Sequence, residues 1–439
     1  MIKTTNASTI KDIQALRVWD SRGFPTVEVE VTTECGNTGR AIAPAGASRG
    51  TREAIDLRDG GLKLAGKDVQ QAIRGIHEVI RPALLGMNVA DQESIDGRLI
   101  QLDGTPFKAK LGGNAMVATS LAVLHAAASV NRLPLWQYIA NSQGIHASIP
   151  LPEIQIFGGG AHAGRRVDIQ DFMVMVPGAE TFAEALEVTA EIYHAAGSLM
   201  KSRGKLAGVA DEGGWWPNFD SNTEALETLV KAIELAGEKP GERVVISLDI
   251  AASEFGSQGR YRLALENREL STEQMIDMLG TWLTDYPIAS IEDPVAEDDP
   301  LGMQLFTQRY GNRVQIIGDD YLVTNASLVD DAIKFGACNA VLIKPNQAGT
   351  ITESLTTFKR AREAGWGTIV SARSGETEDV SIVHFSIGLN AKQLKVGSFT
   401  RSERMIKWNE VLRISKLMGA DARFSGGESL AGTWWAARE

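Results

Sequence analysis

"VQIIGDDYLVTNASLVDDAIKFGACNAVLIK", residues 314–344, holds one complete copy of the pattern that decides the fold. An apolar run from Val314 to Ile317 ends in Gly318 and the acids Asp319 and Asp320. A stretch with helical texture follows, and then Ala340 to Ile343 forms a second apolar run that ends in Lys344. The same phrase recurs on both sides. VVISLD ends at Asp249, IASIED at Glu292 and Asp293, TIVS at Ser371 and KQLK at Lys395. The steps from Glu292 to Asp319 and from Asp319 to Lys344 are 27 and 25 residues. A (β/α)8 barrel of roughly 250 residues averages about 30 per βα unit. The spacing therefore predicts an α/β chain whose residues 146–439 form a (β/α)8-type barrel with polar side chains at the strand C-terminal ends, where that fold places its chemistry. A doubly wound sheet fits less well, because no glycine-rich phosphate loop follows the first strand.

Residues 1–145 have a different texture. In TVEVEVT (26–32), Val27, Val29 and Val31 alternate with Glu28 and Glu30, the period of a half-buried strand. Gly36-Asn37 followed by GRAIAP predicts a hairpin. Helical patterns cover 69–85 and the alanine-rich 114–130. This part reads as a small α+β domain.

Composition sets outer limits. The 439 residues suit two domains, and 44% apolar with 23% charged is ordinary globular usage. A net charge of −11 argues against a nucleic-acid surface. No uninterrupted apolar run suggests a membrane span, and MIKTTNASTI lacks the basic start and apolar core of a signal peptide. Two distant cysteines, Cys35 and Cys338, argue against a disulfide framework and fit a reducing cytoplasm.

Asp249, Glu292 and Asp319 would converge on the barrel mouth from successive strand ends. Three carboxylates without His or Cys make a hard-oxygen site suited to Mg²⁺. Taken singly, each acid could equally be a helix cap or a loop salt-bridge partner. Lys344 and Lys395 would point into the same mouth. A lysine beside a divalent cation and a second ammonium should have a lowered pKa, as a general base needs. Arg373 and Ser374, in VSARSGETED (370–379), offer a guanidinium fork and a hydroxyl to an anion, for which phosphate is the economical candidate. The rival reading ties Arg373 to Glu376 or Glu378 within the turn.

These motifs together resemble the enolase (phosphopyruvate hydratase) family. The resemblance rests on DSRGFPTVEVEV (20–31), GASRG (46–50), EAIDLRDG (53–60), HAGRRVDIQDFM (162–173), DEGG (211–214) and LDIAASEF (248–255). It continues through SIEDPVAEDD (290–299), GDDYLVTN (318–325), LIKPNQAGTITES (342–354), RSGETED (373–379) and RSER (401–404). It implies an enolase-type modified barrel, its first two strands antiparallel, under an N-terminal α+β capping domain. It further implies a homodimer or higher homo-oligomer acting on a small phosphorylated acid with two Mg²⁺ per active site. Carried over by position, Asp249, Glu292 and Asp319 match the ligands of the first Mg²⁺, and Ser48 helps hold the second. Lys344 matches the base that removes the proton α to the carboxylate, and Lys395 its cationic neighbour. Glu212 matches the acid that assists loss of the C3 hydroxyl. His162, Gln170, Arg373 and Ser374 match residues that close over and hold the substrate. Asp171 takes the place of a further catalytic carboxylate.

Several positions depart from the family pattern inside otherwise matching motifs. Ala372 replaces a histidine, Asp171 a glutamate and Gly158 an asparagine. Ala45 and Arg49 replace a serine and a threonine in the metal loop, and Trp215-Trp216-Pro217 follows DEGG where Ala-Pro is usual. The set needed to form an ene-diolate is intact, while the residues around the C3 hydroxyl are altered, with Trp216 expected to exclude water there. Three readings follow. One is an enolase-type lyase taking 2-phosphoglycerate toward phosphoenolpyruvate. Another is a paralogue in phosphonate metabolism similar to carboxyphosphonoenolpyruvate synthase, in which Trp215 and Trp216 could offer a wall for a larger co-substrate, although core packing would suit them equally well. The third is a catalytically silent scaffold.

Overall fold

The computed structural model describes residues 7–438. The chain begins with an antiparallel sheet of β1 (Ile10–Trp19), β2 (Pro25–Thr33) and β3 (Thr38–Ile42), in the order β1-β2-β3. Val27, Val29 and Val31 are fully buried and Glu30 is exposed, as the alternation requires. Glu28 departs from the pattern. It is covered, and burial raises its pKa while Arg40 opposes the shift. The helix Gly113–Val130 lies on this sheet, close enough that Gly39 of β3 touches its backbone. That helix is apolar and long enough to cross a membrane, but 83% of it is buried inside the fold. The pattern over 69–85 is helical but not one regular helix. A turn of α-helix (Gln70–Gly75) widens into a π turn (Ile76–Ile80) before Arg81–Leu84. Pro82 supplies the reason, since it has no N–H for the carbonyl four residues earlier.

The barrel closes as β10-β11-β12-β13-β14-β4-β5-β6. Its strands are β4 (Leu151–Gly158), β5 (Asp171–Met175), β6 (Val245–Asp249), β10 (Ile288–Glu292), β11 (Gln315–Gly318), β12 (Ala340–Ile343), β13 (Gly367–Ser371) and β14 (Gln393–Gly397). All neighbours run parallel except β5, which is antiparallel to both β4 and β6. Reversal brings the first residue of β5 to the mouth, where Asp171 pairs in register with Asp249. Between β6 and β10 the chain makes a small sheet, β7 (Gly256–Ser257), β8 (Arg260–Leu263) and β9 (Arg268–Ser271). A Ser271–Gln274 capping box then opens the helix Thr272–Asp285.

The opposite end of the barrel is plugged. Leu430 and Trp435 pack against Leu151, Met175, Val245 and Ala289. The indoles of Trp434 and Trp435 donate to the carbonyls of Ile288 (2.7 Å) and Glu242 (2.8 Å). Both cysteines are free.

Adding a methyl group at Gly39 would overlap backbone atoms of Ala122 and Ala126, which cannot rotate away. Gly39→Ala should therefore destabilise the protein by about 1–3 kcal/mol, the usual cost of overpacking. Thermal and urea unfolding should both show the loss, and an unchanged midpoint would contradict this account of the helix–sheet contact.

Candidate active site

Each strand-end residue reaches the mouth because a short buried strand stops there. Two networks of buried charge result, each centred on one lysine. In the first, Lys395 Nζ donates to Asp249 Oδ2 at 2.9 Å and Glu292 Oε2 at 2.8 Å, and lies 3.6 Å from Asp171 Oδ2. Gln170 Nε2 donates to Asp249 Oδ2 at 3.1 Å. His162, on the short helical turn Gly160–Ala163, donates from Nδ1 to Asp171 Oδ1 at 3.0 Å and has Nε2 3.6 Å from Glu212 Oε1. Burial opposes the charge on Lys395, but the carboxylates of Asp249 and Glu292 outweigh it and hold the ammonium well above its ordinary pKa. Burial, with Asp249 close by, pushes Glu292 well up.

In the second network, Lys344 Nζ pairs directly with Asp319 Oδ2. Gln347 Nε2 donates to Asp319 Oδ1 (2.8 Å) and to Glu53 Oε1 (3.2 Å). Arg373 donates to both oxygens of Glu53, at 2.9 and 3.2 Å, and to the Ser48 carbonyl at 2.9 Å. The lowered pKa expected of Lys344 beside a divalent cation is not set by the protein groups alone. Burial does lower it, but the adjacent Asp319 more than reverses the shift, and the ammonium stands above its usual value. Asp319 is itself positioned by Asp293, whose carboxylate accepts the backbone N–H groups of Asp319 (3.0 Å) and Asp320 (2.7 Å).

The loop from the N-terminal sheet closes over these groups. Ala45 and Gly375 exchange backbone hydrogen bonds, and the Ala47 N–H donates to Ser374 Oγ at 2.7 Å. Arg22 reinforces the contact by donating to Ser374 Oγ (3.3 Å) and the Ala45 carbonyl (3.0 Å). Neither turn reading of Arg373 describes its side chain. Glu376 accepts the Arg373 backbone N–H, whereas the guanidinium crosses to Glu53, 320 residues away in sequence.

One small cavity of about 20 Å³ is lined by Ser48, His162, Gln170, Asp171, Glu212, Asp249, Lys344, Arg373, Ser374 and Lys395. Glu292 and Asp319 sit immediately behind, under the two lysines. Ala372 also lines the cavity. The tryptophans do not. Trp215 stacks on Tyr193 (centroids 4.6 Å apart) and donates to its carbonyl at 2.8 Å, so it is a packing residue. Trp216 lies towards Gly164 and is not among the residues that line the cavity. The sequence reading missed Glu53, Gln155 and Gln347 as partners of site residues. Glu153 and Gln155 carried a visible signal, since two polar residues spaced by two in an apolar strand point the same way, into the barrel.

Three groupings are candidates for a cation. The ligand atoms of His162, Asp171 and Glu212 lie within 4.8 Å of one another, as do those of Asp293, Asp319 and Asp320. The first includes an imidazole that is pushed up to about 9, because burial is outweighed by Glu212 and Asp171. In the second, both Asp293 oxygens are already taken by backbone N–H groups. Around Asp249 and Glu292 the situation differs. Glu292 Oε1 and Gln170 Oε1 are buried without any hydrogen-bond partner, which suits a missing hard cation.

The raised pKa of His162 has a signed consequence. Its ordinary value is 6.5 and its folded value about 9, so its stabilising contribution is complete below pH 6.5 and is lost as pH rises through 9. His162→Asn should lower stability most near pH 6, and the gap to the parent should close by pH ~10. Urea titrations at several pH values check this; a pH-independent gap would refute it.

Comparison with known proteins agrees with this architecture. Residues 10–139 match the family model described as enolase, N-terminal domain, and residues 146–432 match enolase, C-terminal TIM barrel domain. The chain is 49% identical over 418 residues to "Enolase 1" of Desulfitobacterium hafniense (strain Y51), covering 94% of this chain and 95% of that protein. With its closed eight-stranded barrel and both family domains matched in order, the chain belongs to the enolase family and is a lyase of the enolase type.

Proposed function

We propose that the protein removes the proton α to the carboxylate of 2-phosphoglycerate, or a close analogue, and eliminates the C3 hydroxyl toward phosphoenolpyruvate in a Mg²⁺-dependent reaction. The observation that carries this reading is the single small cavity shared by both lysines, the acid cluster and the Arg373–Ser374 turn. Asp249, Glu292 and Asp319 would hold one Mg²⁺, with the partnerless oxygen of Glu292 as support, and Ser48 would help hold a second beside the phosphoryl group. Mg²⁺ held by these residues would supply positive charge against the substrate carboxylate, which makes α-proton loss easier. Lys344, once its own proton has left to solvent, accepts the α-proton, and the C–H electron pair forms the new C=C bond. The C3–O bond breaks, and Glu212 gives the departing hydroxyl the proton that makes it water. Lys395 stays charged among its carboxylates, while Arg373 and Ser374 hold the phosphoryl group. In keeping with the family, the protein would work as a homodimer or higher homo-oligomer. The packing role of Trp215 and the position of Trp216 take away the aromatic wall that the phosphonate alternative could have used for a larger co-substrate.

Changing Asp249, Glu292 or Asp319 to its amide removes one anionic oxygen ligand. Calorimetric titration of Mg²⁺ with substrate present should show much weaker binding in each variant. Unchanged affinity in all three would remove the metal assignment.

In heavy water with Mg²⁺ and 2-phosphoglycerate, Lys344→Ala should abolish C2–H exchange, whereas Glu212→Gln should keep exchange and lose dehydration by about 10²–10⁴-fold. Exchange that survives Lys344→Ala would sink the assignment of the base.

A further inference from the structure

We propose that Gln155 is the positioning residue for Asp171, and that Gln155, Gly158 and Asp171 form one compensated unit at the hydroxyl side of the site. The inference rests on the proposed reaction. Gln155 is buried on β4 and faces the barrel interior. Its Oε1 accepts the Gly214 N–H at 2.9 Å, and its Nε2 donates to Asp171 Oδ1. One donor and one acceptor fix the amide's orientation, because a flipped amide would set N–H against N–H and oxygen against carboxylate.

The amide sits in a slot made by glycines. A Cβ at Gly158 would lie 2.9 Å from Gln155 Oε1 and 2.8 Å from Ala210 Cβ, and one at Gly214 would lie 2.9 Å from Gln155 Cδ. The asparagine usual in the family at position 158 would therefore need the space that Gln155 fills. The glutamate usual at position 171 would push its carboxylate, one methylene further out, into an amide already in close contact. Two apparent departures thus have a common cause, with the Gln155 amide filling the space that the shorter Asp171 leaves.

The consequence is chemical. Gln155 and His162 both donate to Asp171 Oδ1, leaving Oδ2 without a hydrogen-bond partner, 3.6 Å from Lys395. Asp171 lines the cavity, and Oδ2, although itself covered, is the carboxylate oxygen that keeps acceptor capacity for a substrate hydroxyl or a water. The same amide steadies the turn that carries Glu212, through Gly214. Without Gln155, Asp171 could rotate its free oxygen out of line.

The test uses the full-length protein with Mg²⁺ and 2-phosphoglycerate. Gln155→Leu should lower kcat by about 10–100-fold, the range for partners that orient a reacting group, with KM little changed. Asp171→Glu alone should also lower kcat, and Asp171→Glu combined with Gln155→Asn should recover most of it, a rescue that a packing role would not produce. Full kcat in Gln155→Leu, or a pair no better than Asp171→Glu alone, would overturn the inference. If the parent does not turn over 2-phosphoglycerate, the proposed reaction fails by itself. The unit is then judged by NMR of the His162 Nδ1–H held by Asp171. That signal should be slow to exchange in the parent and lost in Gln155→Leu, and its persistence in the variant would overturn the proposal.

Discussion

Burial of charge at the barrel mouth is the constraint to which the rest of the molecule answers. Asp171, Asp249, Glu292 and Asp319 lie out of water within reach of two ammonium groups. Removing one partner from a buried pair costs about 3–5 kcal/mol, because the charge left behind has no solvent. Such a cluster persists only if its geometry is imposed from outside. The closed barrel does this by ending short buried strands at one level, and the reversed strand β5 brings Asp171 to that level from the opposite direction. The plug of Leu430 and Trp435 stabilises the other end, where nothing polar needs to be exposed. Nothing in packing alone asks for like charges in this place, so the cluster argues for chemistry and against a silent scaffold.

The N-terminal sheet contributes more than a cover. Glu53 gives Arg373 its carboxylate partner, and Ser48 gives it a backbone carbonyl. Ala45, Ala47 and Arg22 fasten the loop to the turn at Ser374 and Gly375. A guanidinium with this many fixed acceptors is held in place before any ligand arrives, which limits the reorganisation needed to receive an anion. Burial disfavours its charge, but Glu53 outweighs that and Arg373 stays protonated above its ordinary range.

Much of this was legible in the sequence, and what was not has identifiable causes. Apolar runs ending in Asp249, Glu292, Asp319, Lys344 and Lys395 announced both the barrel and its mouth, because strand length and strand-end polarity are local properties. The direction of β5 was not legible from periodicity, since a period of two reads the same both ways; it came only with the family resemblance. Partners such as Glu53 for Arg373 and Gln155 for Asp171 depend on elements brought together by the closed fold. Wall or core packing could not be told apart for the tryptophans, for a related reason. An aromatic pair after DEGG looks like a wall of the site, yet a stacking partner, Tyr193 on the helix Phe182–Ser202, takes Trp215 into the core.

Ala372 gains meaning from the two lysine networks. One runs from Lys395 through Asp171 to His162 and Glu212, and the other from Lys344 through Asp319 and Gln347 to Glu53 and Arg373. Among the described residues, no side-chain hydrogen bond joins them. Ala372 stands at their seam: its N–H donates to the Lys395 carbonyl at 2.9 Å, its neighbour is Arg373, and its methyl group faces the cavity. An imidazole there could have passed a proton across, and a methyl group cannot. The loss leaves each network complete, because neither Lys344 nor Glu212 takes a hydrogen bond from position 372. In the proposed reaction, proton removal and hydroxyl departure would therefore each keep their own donors and acceptors, with only substrate or water in the cavity to connect them.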